Sequence, residues 1–130
     1  MIAVDTNVIV RYLVEDDVGQ TDRAEAVFRS GAVLVLKSVL LETELVLRSS
    51  YRLDRARINE GLRRLIRLPG VEVEDNAAVA QAFVWFERGL DFADALHLAS
   101  SHGAAALATF DRGLHRRARA LGDATPVIAP

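Results

Sequence analysis

Residues 2–13 read IAVDTNVIVRYL, in which an apolar run ends at a carboxylate and passes at once into a helical pattern. The run from Ile2 to Asp5 is typical of a short buried strand. From Asn7 to Val14 the apolar side chains fall on one side, which predicts an amphipathic helix. A strand that leads directly into a helix is the unit from which parallel sheets are built, because parallel strands need crossover connections.

The same alternation continues to the end of the chain. We predict five short strands, at 2–5, 32–36, 71–74, 105–108 and 126–129, interleaved with about seven helices. Thr21, Ser38 and Asp54 are the expected N-caps of three of the helices. The predicted fold is therefore α/β: a three-layer α/β/α arrangement around a central, mainly parallel five-stranded sheet, in a single domain spanning residues 1–130.

Composition restricts the class of protein. The 130 residues are 51% hydrophobic and 26% charged, which is typical of a globular domain and excludes a disordered chain. No apolar run approaches the roughly 18 residues of a membrane span, and no basic leader precedes an apolar segment, so we expect a cytoplasmic protein without a membrane partner. The absence of cysteine excludes disulfides, thiolate zinc sites and cysteine nucleophiles.

Four carboxylates lie against apolar stretches in distant parts of the sequence: Asp5, Glu44, Asp94 and Asp111. A carboxylate beside a core is costly unless it is paired, hydrogen-bonded or bound to a cation. The first and last follow predicted strands, and the other two lie near the beginnings of helices, so an α/β fold can bring them to one edge of the sheet. Oxygen ligands without cysteine or an evident histidine partner favour Mg²⁺, with Mn²⁺ as a substitute.

Each acid also has a purely structural interpretation. Asp5 and Asp111 could be helix N-caps, and Asp91 could cap a helix with Asp94 three residues later completing a capping-box-like pair. Glu42 competes with Glu44, since leucines flank both and spacing alone does not choose between them. The three histidines, His97, His102 and His115, are interpreted as structural or solvated.

Arginine supplies nearly all of the positive charge, since Lys37 is the only lysine, and the formal net charge is −2. Four arginines follow Asp111: Arg112, Arg116, Arg117 and Arg119. A solvated helix face explains them, and a surface that positions phosphates beside an acidic site is the functional alternative. In that alternative, Arg112 and Arg116 are the expected phosphate contacts.

Four segments, taken in order, resemble a known family. They are Val4-Asp5-Thr6-Asn7-Val8-Ile9-Val10-Arg11-Tyr12-Leu13, Glu42-Thr43-Glu44-Leu45-Val46-Leu47-Arg48, Asp91-Phe92-Ala93-Asp94-Ala95-Leu96 and Thr109-Phe110-Asp111. Their order and spacing are similar to those of PIN-domain ribonucleases, specifically the VapC-type toxins of toxin–antitoxin pairs. The resemblance spans essentially the whole chain.

The resemblance implies a Mg²⁺-dependent endoribonuclease that leaves 5′-phosphate and 3′-hydroxyl ends. It also implies a homodimer, a VapB-type antitoxin partner and an RNA substrate of the tRNA or rRNA class. The metal-binding acids of the family fall on Asp5, Glu44, Asp94 and Asp111, and the supporting polar residues on Thr6, Asn7 and Thr109, while Asp91 is either a further support or a cap. The alternative function is a non-catalytic PIN-like RNA-binding or scaffold protein.

Overall fold

The computed structural model describes the whole chain, Met1–Pro130, and contains five strands and seven helices, as predicted. The strands are β1 (Ile2–Ala3), β2 (Val33–Val35), β3 (Val71–Val73), β4 (Leu107–Ala108) and β5 (Val127–Ile128). The helices are α1 (Thr6–Leu13), α2 (Val18–Arg29), α3 (Lys37–Ser49), α4 (Arg55–Ile66), α5 (Asn76–Glu87), α6 (Phe92–Ser100) and α7 (Arg112–Leu121). None of these helices has the length and apolar character required to cross a bilayer.

Backbone contacts divide the chain into two compact units, Met1–Asn76 and Ala77–Pro130, which are called unit 1 and unit 2. Each unit has its own parallel strands and its own helices. The prediction that residues 1–130 form one domain stays a prediction.

Unit 1 is organised around β2, which pairs in parallel with β1 on one side and with β3 on the other. Val33 and Val35 point to the same face of this middle strand and are fully buried, whereas Leu34 on the opposite face is only partly buried. The chain reaches β3 through a tight turn at Gly70, which has φ +83°. A Cβ at this position would lie 2.3 Å from the carbonyl oxygen of Gly31, so only glycine fits the turn.

Unit 2 contains the parallel pair β4–β5, in which Leu107 is opposite Val127 and Ala108 is opposite Ile128. Its core is aromatic where α5 meets α6. Phe92 packs against Phe83 with ring centroids 5.5 Å apart, and against Phe86 edge-on at 5.4 Å. This packing buries the start of α6 and thereby positions Asp94 in the first turn of that helix.

The structure confirms the α/β class with parallel strands, and it changes the predicted grouping of the strands. The five strands form a three-stranded and a two-stranded sheet instead of one five-stranded sheet. The second sheet is minimal because β4 and β5 have only two residues each. Its ladder is extended only by two backbone hydrogen bonds, from Leu107 to Pro126 and from Thr109 to Ile128.

The predicted caps are partly wrong. Asp54 caps α4 as expected, because its side chain accepts a hydrogen bond from the amide of Arg57. Thr21 does not cap α2: the cap is Asp17, and the Thr21 hydroxyl inside the helix donates to the carbonyl oxygen of Arg11 at 3.1 Å. Ser38 also lies inside its helix, since α3 begins at Lys37 without a side-chain cap.

Candidate functional site

Asp5 lies just beyond the carboxyl end of β1 and is the N-cap of α1. Its Oδ1 accepts a long hydrogen bond, 3.4 Å, from the amide of Val8, and its side chain is exposed. The next residue, Thr6, donates its hydroxyl to Oε2 of Glu42 at 2.8 Å. The start of α1 is therefore tied to the α3 carboxylate of Glu42, which places a second acid beside the segment that carries Asp5.

Glu44 has a different environment, although it lies only two residues further along α3. It is 2% exposed, and its carboxylate accepts hydrogen bonds from Nε and Nη2 of Arg48 at 2.9 and 3.4 Å. Two residues along a helix turn the side chain by about 200°, so Glu42 and Glu44 lie on nearly opposite faces. In unit 1 the structure thus brings Glu42, and not Glu44, into hydrogen-bonding connection with the residue after Asp5.

The sequence contained a signal that favours this distinction. Leu40, Thr43, Glu44 and Leu47 recur at i, i+3, i+4 and i+7, which is the spacing of a single helix face, and all four are buried. Glu42 is outside that stripe and is exposed. The helical phase therefore assigns Glu44 to the packed face, which inspection of the flanking leucines alone did not reveal.

Asp111 follows β4 and caps α7. Its Oδ1 accepts a hydrogen bond from the amide of Leu114 at 3.1 Å, and its own amide donates to the hydroxyl of Thr109 at 3.1 Å. The Nε2 of His115 donates to the carbonyl oxygen of Thr109 at 2.9 Å. Capping engages Oδ1 only, so Oδ2 of the half-exposed Asp111 side chain is left for a cation.

Asp94 is the most electrostatically perturbed acid of the candidate set. The pKa of its carboxyl is raised above the usual value of 3.8, first by burial and then by the negative charges of Asp91 and Asp111. Arg117 and His97 oppose this shift of the Asp94 pKa. A carboxylate that is partly desolvated and repelled by two others is a group whose charge a bound cation would stabilise.

The guanidinium of Arg117 is a positive charge beside Asp94 and Asp111 in unit 2. Its Nη2 lies 3.5 Å from Oδ2 of Asp94 and 4.0 Å from Oδ2 of Asp111. The guanidinium therefore touches two of the predicted metal ligands at the same time. The sequence placed Arg117 in a basic cluster, and nothing in its spacing indicated that it would contact these acids.

The remaining candidates have simpler positions. Asp91 is at the N-cap of α6 but its side chain accepts no capping hydrogen bond, so the predicted capping pair with Asp94 does not form. Asn7 is exposed at the start of α1, where it lines a groove of about 410 Å³ with residues of α1 and α2. Arg112 and Arg116 are both exposed on α7.

The donor chemistry in each unit fits a hard divalent cation. Unit 1 offers the carboxylates of Asp5 and Glu42, and unit 2 offers those of Asp94 and Asp111, which already attract the guanidinium of Arg117. Within neither unit alone do three Asp, Glu or His side chains form a group that could hold a metal ion. Convergence of acids from distant parts of the sequence stays a prediction.

Among solved structures, the chain is similar to the VapC20 toxin of Mycobacterium tuberculosis, described as cleaving the sarcin–ricin loop, at 22% identity over 100% of both chains and a TM-score of 0.43. No curated protein matches the chain significantly. A model of the PIN domain matches residues 2–120. Since that match includes nearly every element of both units, the chain belongs to the PIN-domain family of nucleases.

Proposed function

We propose that this protein is a Mg²⁺-dependent endoribonuclease that acts as the toxin of a VapBC-type toxin–antitoxin pair. It hydrolyses RNA phosphodiester bonds and leaves 5′-phosphate and 3′-hydroxyl ends. The observation that carries the proposal is the PIN-domain match over residues 2–120, which includes all the candidate acids. The raised pKa of Asp94, which is caused first by burial and then by the negative charges of Asp91 and Asp111, also supports it, because a divalent ion would stabilise the charged form of this carboxylate.

Asp5, Asp94 and Asp111 are the proposed metal ligands. When bound, Mg²⁺ would lower the pKa of a coordinated water and offset charge on the scissile phosphate. Asp5 and Asp111 each use one oxygen to cap a helix, which fixes the carboxylate and directs the other oxygen outwards. Thr109 holds the backbone of Asp111 through its hydroxyl, so it acts as a support of that ligand.

The fourth acid is a glutamate of α3, and two residues are candidates for it. The family resemblance assigns Glu44, while the hydrogen bond from Thr6 favours Glu42. We propose that Glu42 orients the attacking water and that Glu44 serves the packing of α3 through its ion pair with Arg48. A buried carboxylate that is already neutralised by an arginine has little to offer a second cation.

The partners proposed from the family are a VapB-type antitoxin, a second copy of the chain and an RNA of the tRNA or rRNA class. Arg112 and Arg116, both exposed on the helix that Asp111 caps, are proposed to contact RNA phosphates. A toxin that acts on these RNAs works in the cytoplasm.

An RNA-cleavage assay with Asp5→Asn tests the activity. Asparagine caps helices as well as aspartate does, so α1 should remain folded while a charged ligand is lost. We expect cleavage of total RNA in Mg²⁺ to fall by about a hundredfold or more, on the scale of losing a principal transition-state interaction. The matched control is Asp22→Asn, which removes an exposed carboxylate of α2 and should cleave normally.

Two results would contradict the proposal. One is cleavage that persists in excess chelator, and the other is full activity of the Asp5→Asn protein. RNA binding that needs no metal, together with no cleavage of any RNA supplied, would favour the non-catalytic scaffold. In cells, induced expression should arrest growth for the wild type and the Asp22→Asn control but not for Asp5→Asn.

A further inference from the structure

The guanidinium of Arg117 lies close to the carboxylates of two of the proposed metal ligands in unit 2. Its Nη2 is 3.5 Å from Asp94 and 4.0 Å from Asp111. These distances are long for a hydrogen-bonded pair, and the Arg117 side chain is 43% exposed. The contact is therefore electrostatic and loosely held, which makes it easily exchanged for another cation.

Gly113 provides an independent observation about the same guanidinium. A Cβ built on Gly113 would lie 2.8 Å from Nη1 of Arg117 and 3.1 Å from Oδ1 of Asp111. Gly113 is in the first turn of α7, and glycine is among the weakest helix formers. Its φ is not in the left-handed region, so backbone geometry does not require glycine there. The missing side chain leaves the space in which Arg117 reaches Asp111.

We propose that Arg117 is a built-in competitor of the metal: its guanidinium neutralises Asp94 and Asp111 in the metal-free protein, and a divalent ion must displace it to bind. Gly113 makes this competition possible by leaving room for the guanidinium. The inference rests on the proposed function, because it takes Asp94 and Asp111 to be metal ligands. Arg117 takes no part in cleavage itself. By competing with the metal, it sets the metal concentration at which the protein becomes active.

Competition has a direct physical consequence for affinity. The free energy of metal binding is reduced by the free energy of the contacts that Arg117 must give up. Exposed ion pairs are weak, and both contacts are made through the same Nη2 atom, so loss of Arg117 should tighten metal binding only about two- to fivefold. In the metal-free state the arginine also limits repulsion between the acids, because its guanidinium lies within 4.0 Å of both carboxylates.

Mn²⁺ binding measured by electron paramagnetic resonance tests the proposal without relying on cleavage. Arg117→Gln should lower the Kd for Mn²⁺ by about two- to fivefold. Arg119→Gln is the control: it removes the same charge from an exposed position two residues along α7, and it should change the Kd much less. An equal change in both variants would mean that only net charge matters, and it would overturn the proposal.

Gly113→Ala tests the position of the guanidinium without changing the net charge, since the added Cβ crowds the guanidinium and no ionisable group is removed. It should also tighten Mn²⁺ binding, and the effect should vanish in the Gly113→Ala/Arg117→Gln double variant because both changes act on the same contact. An effect of Gly113→Ala that persists without Arg117 would instead reflect movement of Asp111 and would contradict the proposal. Unchanged or weaker binding in Arg117→Gln would contradict it as well.

The outcomes distinguish this inference from the proposed function. If wild-type protein fails to bind Mn²⁺, or if Asp94→Asn binds it equally well, the metal-site assignment itself is wrong. If wild-type protein binds Mn²⁺ through Asp94 and the Arg117 and Gly113 variants match it, only the competition by Arg117 is wrong.

Discussion

Each unit pairs one of its candidate acids with an arginine, and the two pairs differ in kind. In unit 1, Glu44 is 2% exposed and bonded to Arg48 at 2.9 Å, one helical turn away on the same helix. In unit 2, Asp94 is 24% exposed and lies 3.5 Å from Arg117, which is on another helix. The first pair is close and its carboxylate is sealed from water, whereas the second is loose and open.

The comparison separates a structural carboxylate from a reactive one. A buried charge that is fully neutralised by a neighbour stabilises one arrangement of the chain and cannot easily take another ligand. A partly buried carboxylate with a poor partner, and with other carboxylates nearby, is stabilised in its charged form when a cation binds. By this criterion Asp94 is suited to binding a cation and Glu44 is suited to holding α3 in place.

The largest expected effects come from neutralising the two glutamates of α3 separately. Glu42→Gln should reduce RNA cleavage by about 10- to 100-fold with little change in stability, because Glu42 is exposed and would act on the site. Glu44→Gln should lower the free energy of unfolding by about 1–3 kcal/mol, since it weakens a buried charge-assisted hydrogen bond. Cleavage rates and urea denaturation measure the two effects.

The reverse pattern would restore the assignment that the family resemblance gave. If Glu44→Gln abolishes cleavage at full stability while Glu42→Gln is active, Glu44 is the ligand and its ion pair with Arg48 must open during function. Glu60→Gln is a matched control on α4, because that exposed carboxylate pairs only with Arg64 on the surface and should affect neither measurement.

Removal of Arg48 should lower the free energy of unfolding more than removal of Arg117 does. Arg48→Met leaves the buried carboxylate of Glu44 without its partner and should cost about 1–3 kcal/mol of unfolding free energy. Arg117→Gln should cost less than about 0.5 kcal/mol, because its two contacts are long and exposed to water. Chemical denaturation of both variants in a chelator gives the values.

Arg48→Lys controls for charge, and it should recover part of the stability lost in Arg48→Met. An equal loss of stability in Arg48→Met and Arg117→Gln would show that the two pairs are energetically alike. The distinction between a structural and an exchangeable carboxylate would then fail.

The sequence predicted the elements well because each carries a local pattern. Alternation of short apolar runs with helical stripes is enough to find five strands and seven helices, and the carboxylates after β1 and β4 follow from the same pattern. Division of the strands into two sheets was not predictable. Pairing of strands depends on contacts between distant residues, and β4 and β5 are too short to carry a pairing signal.

Side-chain partners were less predictable than elements. Asp5 and Asp111 were correctly recognised as compatible with capping, since an N-cap is a local interaction. The contact of Thr6 with Glu42 spans 36 residues, and that of Arg117 with Asp94 joins two helices, so no local sequence pattern predicts either contact. The sequence of an arginine-rich helix does not show which of its side chains face solvent and which face a carboxylate.

The smallest expected effect, and the most specific to unit 2, is a pH dependence of stability caused by Asp94. The pKa of its carboxyl is raised above 3.8 in the folded protein, so just above that pH the folded state binds more protons than the unfolded state. Stability contributed by this residue is therefore present at low pH and is lost as the pH rises through the folded pKa.

In a chelator, Asp94→Asn should be more stable than wild type at pH 7, and its advantage should shrink on acidification. Arg117→Gln should move the loss to higher pH, since Arg117 opposes the shift of the Asp94 pKa. A difference between Asp94→Asn and wild type that stays constant from neutral pH downwards would mean that Asp94 titrates normally, and the contrast with Glu44 would lose its electrostatic basis.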